Sequence, residues 1–209
     1  MSNIIENDEH VFISGMTGSG KTFLMKNYLR GVSKQKFILD TKGTFEWEQV
    51  PKNEKILVTH LKDLEAVVSE YQNIIYRPSR EELTFEHYNA FFEFCYYLKN
   101  NTVAVDEIMQ VCPTPSKIPE FLKGILTRGR ELNVNVWSAT QRPATIPVVV
   151  YSEATHWFTF KLNSAVDRKR LADFTGFDEY NEALPKQIFL YFNANTGEAP
   201  EKGKLVVRG

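Results

Sequence analysis

The octapeptide Gly15-Met16-Thr17-Gly18-Ser19-Gly20-Lys21-Thr22 carries residue types that hold a chain of phosphates. It fills every fixed position of the G-x-x-x-x-G-K-[ST] pattern and follows the apolar run His10-Val11-Phe12-Ile13. A loop of this kind turns successive backbone N–H groups inward to form a concave anion site, and glycine lets the backbone take that path. A helix opening near Lys21 adds the positive end of its dipole. Lys21 then reaches the β- and γ-phosphates and the Thr22 hydroxyl binds Mg2+, so ATP and Mg2+ are the expected ligands. A glycine-rich turn without a ligand is the competing reading. The strand-loop-helix context, with Phe23, Leu24, Tyr28 and Leu29 in the helix, opposes it.

A second group of chemical residues closes the apolar run Val103-Ala104-Val105-Asp106-Glu107. A carboxylate at a strand end can support Mg2+ through its water shell, which suits Asp106. A second carboxylate one residue on can polarise an attacking water, which suits Glu107. An acidic pair at a helix start, favoured by the helix dipole, is the plainer alternative. A third apolar run, Val134 to Ala139, ends in Thr140-Gln141-Arg142-Pro143. If it lies between the other two strands, Gln141 points at the γ-phosphate and can orient water or report the phosphate to the sheet. Just upstream, Thr127-Arg128-Gly129-Arg130-Glu131 ends a helix. Its arginines either complement the helix dipole or, as Arg128 or Arg130, reach a neighbouring subunit's γ-phosphate as an arginine finger. Arg142 is a weaker candidate for that role.

These groups must be delivered by alternating strands and helices, which argues for a mainly parallel sheet covered by helices. Strands are expected at Val11–Ser14, Lys36–Asp40, Lys55–Val58, Asn73–Tyr76, Thr102–Val105, Asn135–Ala139, His156–Lys161 and Gln187–Phe192, with Lys204–Val207 a candidate added edge strand. Helices are expected at Lys21–Leu29, Leu61–Tyr71, Thr84–Leu98, Ile118–Leu132 and Ala165–Phe174. In the long one, Phe85, Tyr88, Phe91, Phe92, Cys95 and Leu98 recur at three- and four-residue steps, which reads as a buried face rather than a base-stacking platform.

At 209 residues the chain is expected to form a single P-loop ATPase domain over 1–209. Its net charge of −1 rules out wholesale polyanion binding, so any nucleic-acid contact must come from a local basic patch. Cys95 and Cys112 make neither a disulfide framework nor a zinc site. The acidic, polar start MSNIIENDEH is not a signal peptide, and the longest apolar candidate, Ile146 to Tyr151, is far short of the ~20 residues of a membrane span. A soluble protein is expected.

Taken together, GMTGSGKT, VAVDEI, TRGRELNVNVWSATQRP and THWFTFKLNSAVDRKRLADFTG resemble the FtsK–HerA superfamily of ring-forming nucleic-acid pumps, in motif order over about residues 10 to 175. The small size resembles the genome-packaging ATPases of viruses with an internal membrane. The resemblance implies a RecA-like (ASCE) core, a hexameric or similar ring, ATP hydrolysis and movement of double-stranded DNA. It also implies a place in the host cytoplasm or at a virion vertex, with a capsid vertex or a membrane-associated viral protein as partner. By position it assigns Lys21 and Thr22 to phosphate and Mg2+, Asp106 and Glu107 to metal support and base, Gln141 to the sensor, and Arg128 or Arg130 to the finger. Leu39-Asp40-Thr41-Lys42-Gly43 resembles a D-P-K-G strand end with Thr41 in place of proline, and it receives no role. Loops near Lys117 and Lys123 could face a DNA pore, though solvated surface lysines are the default. A nucleotide or small-molecule kinase, and a nucleotide-dependent assembly switch in phage morphogenesis, remain the alternatives.

Overall fold

The computed structural model describes residues 5, 6 and 8–206. Nine strands form among the described residues: β1 (Val11–Ser14), β2 (Gln35–Leu39), β3 (Lys55–Val58), β4 (Asn73–Tyr76), β5 (Asn101–Val105), β6 (Asn135–Thr140), β7 (His156–Phe160), β8 (Ile188–Asn193) and the polar β9 (Glu201–Lys204). They pair into one sheet in the order β3-β4-β2-β5-β6-β1-β7-β8-β9. The first seven in that order are parallel, and β8 and β9 add an antiparallel edge. Strand β6 therefore separates the phosphate-loop strand β1 from the Asp-Glu strand β5.

The helices are α1 (Lys21–Leu29), α2 (Leu64–Val67), α3 (Phe85–Leu98), α4 (Ile108–Val111), α5 (Glu120–Leu132), α6 (Val149–Ser152) and α7 (Ala165–Thr175). Successive strand residues point to opposite faces of a sheet, so strands covered on both sides are apolar throughout. Phe12, Phe37, Val103, Val105, Val136 and Trp157 pack on one side with residues of α3 to α7. Val11, Ile13, Ile38, Ala104, Trp137 and Phe158 pack on the other with Leu24, Met25 and Leu29 of α1. The expected helical sandwich is thus asymmetric. Among the described residues α1 is the one helix on the second side, and Phe45, Trp47 and Val50 of an irregular segment fill the remaining space.

The middle of the expected face of α3 is core, with Tyr88, Phe91, Phe92 and Cys95 buried, whereas Phe85 at its start is half-buried and Leu98 at its end is exposed. Thr84 caps this helix by accepting from the His87 N–H at 3.3 Å. Elsewhere local chemistry moved the boundaries. The single helix expected over Leu61–Tyr71 is a 3-10 turn, Leu61–Asp63, followed by the short α2. The Glu82 carboxylate caps the start of the turn by accepting the Leu61 N–H at 2.9 Å, and the β-branched pair Val67-Val68 disfavours continuation of α2. Helix α5 starts at Glu120 rather than Ile118 because Pro119 holds an extended backbone, φ −54° and ψ 135°. The added edge strand lies at Glu201–Lys204, earlier than the expected Lys204–Val207; Val207 is outside the described residues. The short helices α4 and α6 carried too few residues to show a period. Cys95 and Cys112 are buried and unpaired. No helix among the described residues is long and apolar enough to cross a membrane.

Candidate nucleotide site

A parallel sheet brings its carboxyl ends to one edge, which is where ligands of open α/β sheets sit. Here Ser14 lies beside Thr140 and Thr159, Leu39 beside Val105, and Val105 beside Ser138. The phosphate loop leaves β1 at this edge and is hung from both neighbours. Gly15 N–H donates to Thr140 O (3.1 Å) and Met16 N–H to Lys161 O (2.8 Å). A Cβ on Gly15 would sit 2.7 Å from Phe160 Cβ, so only glycine fits there. Gly20 opens α1 in the left-handed region, φ +113°.

Lys21 is buried and folds back under the loop, its Nζ donating to Gly15 O (2.7 Å) and Met16 O (3.1 Å). Burial lowers its pKa to about 8; Glu107 and Asp106 oppose the shift and Lys42 adds to it. Ser19 Oγ is buried without a hydrogen-bond partner. A cradle no Cβ can enter, an unsatisfied hydroxyl and a desolvated ammonium together fit an anionic phosphate tail. The Thr22 hydroxyl donates to Asp106 Oδ1 at 2.6 Å, so a hydroxyl and a carboxylate oxygen meet at one point. Mg2+ takes few protein oxygens and fills its remaining positions with phosphate and water, so this pair fits it.

Glu107 sits at the start of α4, but its side chain makes no capping hydrogen bond. The contacts of this carboxylate lie elsewhere than on the helix start. Its side chain is only 2% exposed, and its Oε2 accepts from Lys42 Nζ (2.8 Å) and Gln141 Nε2 (3.0 Å), whereas Oε1 is buried with no partner. Gln141, at the end of β6, accepts from Thr17 Oγ1 at 2.8 Å through its other amide atom. The three sequence signals are thereby joined: loop, acids and amide form one hydrogen-bonded group. Lys42 completes it and was the residue that sequence reasoning left without a role. Only the adjacency of β2 to β5 brings it there, and spacing along the chain does not encode that adjacency.

No family model matches this chain, and no curated protein matches it in sequence. Solved structures do. The genome packaging NTPase B204 from Sulfolobus turreted icosahedral virus 2, in complex with ATP-gammaS, aligns with a TM-score of 0.74 at 16% identity, over 97% of this chain and 100% of that one. B204 described as the DNA-packaging ATPase from Sulfolobus turreted icosahedral virus aligns with a TM-score of 0.68 at 19% identity, over 96% and 98%. The pCW3 conjugation coupling protein TcpA, monomer form with ATPgS, aligns with a TM-score of 0.62 at 13% identity, over 94% of this chain and 60% of that one. The fold is that of a P-loop ATPase.

Within this ATPase fold the arginines stand apart from the loop. Helix α5 ends at Leu132, with Asn133 in the left-handed conformation, and the chain turns directly into β6. Arg128 and Arg130 thus lie at the amino end of β6, about 17 Å of strand away from the Thr140 end that touches Gly15. Both are exposed. They line a cavity of about 450 Å3 with His10, Glu153 and Thr155. Arg128 makes a loose 3.4 Å pair with Glu131. Gly129 between them is required by close packing: a Cβ there would meet Val134 O at 2.3 Å and His10 Cε1 at 2.8 Å. Arg142 is committed elsewhere, its Nε donating to the buried Asp167 carboxylate at 2.8 Å. Lys117 lies over the Phe85 ring, 4.5 Å from its centroid, and Lys123 is an exposed residue of α5.

Proposed function

We propose that the chain is an ATP-hydrolysing motor that translocates double-stranded DNA, packaging a viral genome into a preformed capsid, with residues 1–209 as one ATPase domain. The observation that carries this reading is the bond from Gln141 Nε2 to Glu107 Oε2 (3.0 Å) while Thr17 of the phosphate loop bonds the same amide (2.8 Å). A buried carboxylate tied to the phosphate loop across an intervening strand suits water activation at a γ-phosphate. A kinase must keep water away from that position.

In this reading the backbone of Gly15 to Thr22 wraps the phosphates, and Lys21 exchanges its loop carbonyls for phosphate oxygens. Thr22 and Asp106 would hold Mg2+, which would supply positive charge to the phosphate tail. Glu107 takes the proton of the attacking water through Oε1, and Gln141 couples that carboxylate to the loop. Arg128 or Arg130 completes the site of a neighbouring copy, since neither reaches the phosphate loop of its own chain. That requires a ring, hexameric or similar. Duplex DNA passes through its pore, held by a few Lys or Arg contacts per subunit. The B204 neighbours are packaging ATPases and TcpA is a conjugation coupling protein, which supports DNA as the substrate moved. A capsid vertex or a membrane-associated viral protein is the docking partner, in the host cytoplasm or at the virion.

The direct test is Glu107→Gln. The variant is expected to bind ATP like the parent and to release phosphate at least ~100-fold more slowly. Turnover near the parent's would remove Glu107 as the base.

A further inference from the structure

Strand β5 is flanked on both sides by strands whose ends reach its acidic pair. Strand β6 supplies Gln141 from one side, and β2 supplies Lys42 from the other. Both donate to the same oxygen, Glu107 Oε2, at 3.0 and 2.8 Å. The other oxygen is buried and unpartnered. A carboxylate fixed through one oxygen cannot rotate, so the identity of the free oxygen is set by its two anchors.

The turn carrying Lys42 is built to hold that aim without help from Glu107. Asp40, whose side chain is fully buried, accepts from the Thr44 N–H through Oδ1 (3.1 Å). Its Oδ2 accepts from the Phe45 N–H (3.1 Å) and from Arg77 Nε (2.8 Å). Gly43 takes φ +71° inside the turn, and Phe45 and Trp47 anchor its far side in the core. Lys42 therefore starts from a backbone that the turn holds in place.

We propose that Lys42 is a positioning residue for Glu107: with Gln141 it pins Oε2, so that Oε1 is the oxygen presented to the attacking water. The proposal rests on the ATPase reading, and it adds to that reading a residue that acts on the rate of chemistry rather than on nucleotide binding. A lysine that instead held the γ-phosphate would act on binding.

The test compares parent, Lys42→Met, Lys42→Arg, Glu107→Gln and the double variant Lys42→Met with Glu107→Gln. ATP turnover, ATP-γ-S affinity and thermal midpoint are measured for each. Lys42→Met is expected to lower kcat about 10-fold or more with KM and nucleotide affinity within ~2-fold of the parent. Lys42→Arg should recover much of the rate, and the double variant should be no slower than Glu107→Gln alone. A weakened nucleotide affinity with kcat unchanged, or full additivity in the double variant, overturns the proposal. If Lys42→Met does not fold, Lys42→Gln carries the same comparison. A parent that releases no phosphate removes the ATPase reading itself, whereas an active parent with an unaffected Lys42→Met removes only the role of Lys42.

Discussion

Glu107 and Lys21 are both charged groups taken out of water, and burial of that kind persists only where partners or a ligand offset it. Glu107 has Lys42 and Gln141. Lys21 has loop carbonyls, and burial draws its pKa to about 8 from the usual 10.5. An anionic phosphate tail favours the charged ammonium, so binding takes up a proton wherever the free protein has lost it. Between about pH 8 and 10.5 the unfolded chain holds that proton more firmly than the folded one, so free-protein stability rises with pH across the window. Nucleotide affinity is expected to be level below pH 8 and to fall above it, approaching tenfold per pH unit. Titrations with ATP-γ-S from pH 7 to 9.5 measure this, and a flat profile contradicts the buried-ammonium geometry. At this scale the meeting of the Gly15–Thr22 loop with Asp106 and Glu107 was legible, because each group closes an apolar run that a parallel sheet brings to one edge. Lys42 was not, because a lysine after a strand means nothing until its neighbouring strand is known.

Strands β1, β5 and β6 announce themselves as apolar runs ending in polar residues, and the structure keeps all three in register. The order in which they lie was open in the sequence, since placing β6 between the others depends on crossovers through α4, α5 and the segments around them. Helix α5 shows how an element is fixed from beneath. His10 precedes β1, is buried, and accepts the Val136 N–H through Nδ1 at 2.9 Å, so it packs neutral against Gly129. Burial pulls its pKa to about 4, with Arg130 and Lys34 adding to the fall, and a backbone hydrogen bond with Leu126 and the charge of Asp8 opposing it. The unfolded chain takes up a proton near pH 6.5 that the folded chain refuses until about pH 4. This contribution is thus complete above pH 6.5 and is lost as pH falls toward 4, by up to about 3 kcal/mol. Urea midpoints at pH 7, 5.5 and 4.5 should show a steeper acid loss in the parent than in His10→Gln. Equal losses would assign the acid sensitivity to other groups. The segment expected as one helix over Leu61–Tyr71 instead forms a 3-10 turn and the short α2, where the β-branched pair Val67-Val68 disfavours a longer helix.

Over the molecule as a whole, charged and polar side chains gather at two ends of one sheet. The phosphate loop, acids, amide and Lys42 occupy the carboxyl edge, and the exposed Arg128 and Arg130 occupy the amino edge beside the cavity at His10. Under the proposed function, the arginines at one end of a copy serve the nucleotide site at the other end of its neighbour, an arrangement that a closed ring of copies would satisfy. Fold class was readable from alternating elements. The one-sided placement of α1 and the aromatic plug at Phe45, Trp47 and Val50 was not, because an irregular segment leaves no period to detect. The most direct measurement is phosphate release from ATP across protein concentration, with and without duplex DNA and with no phosphoryl acceptor. The expected result is a rate per subunit that climbs with concentration and climbs further with duplex DNA. A rate per subunit that ignores both, or transfer of phosphate to an acceptor in place of water, would contradict a DNA-translocating ring.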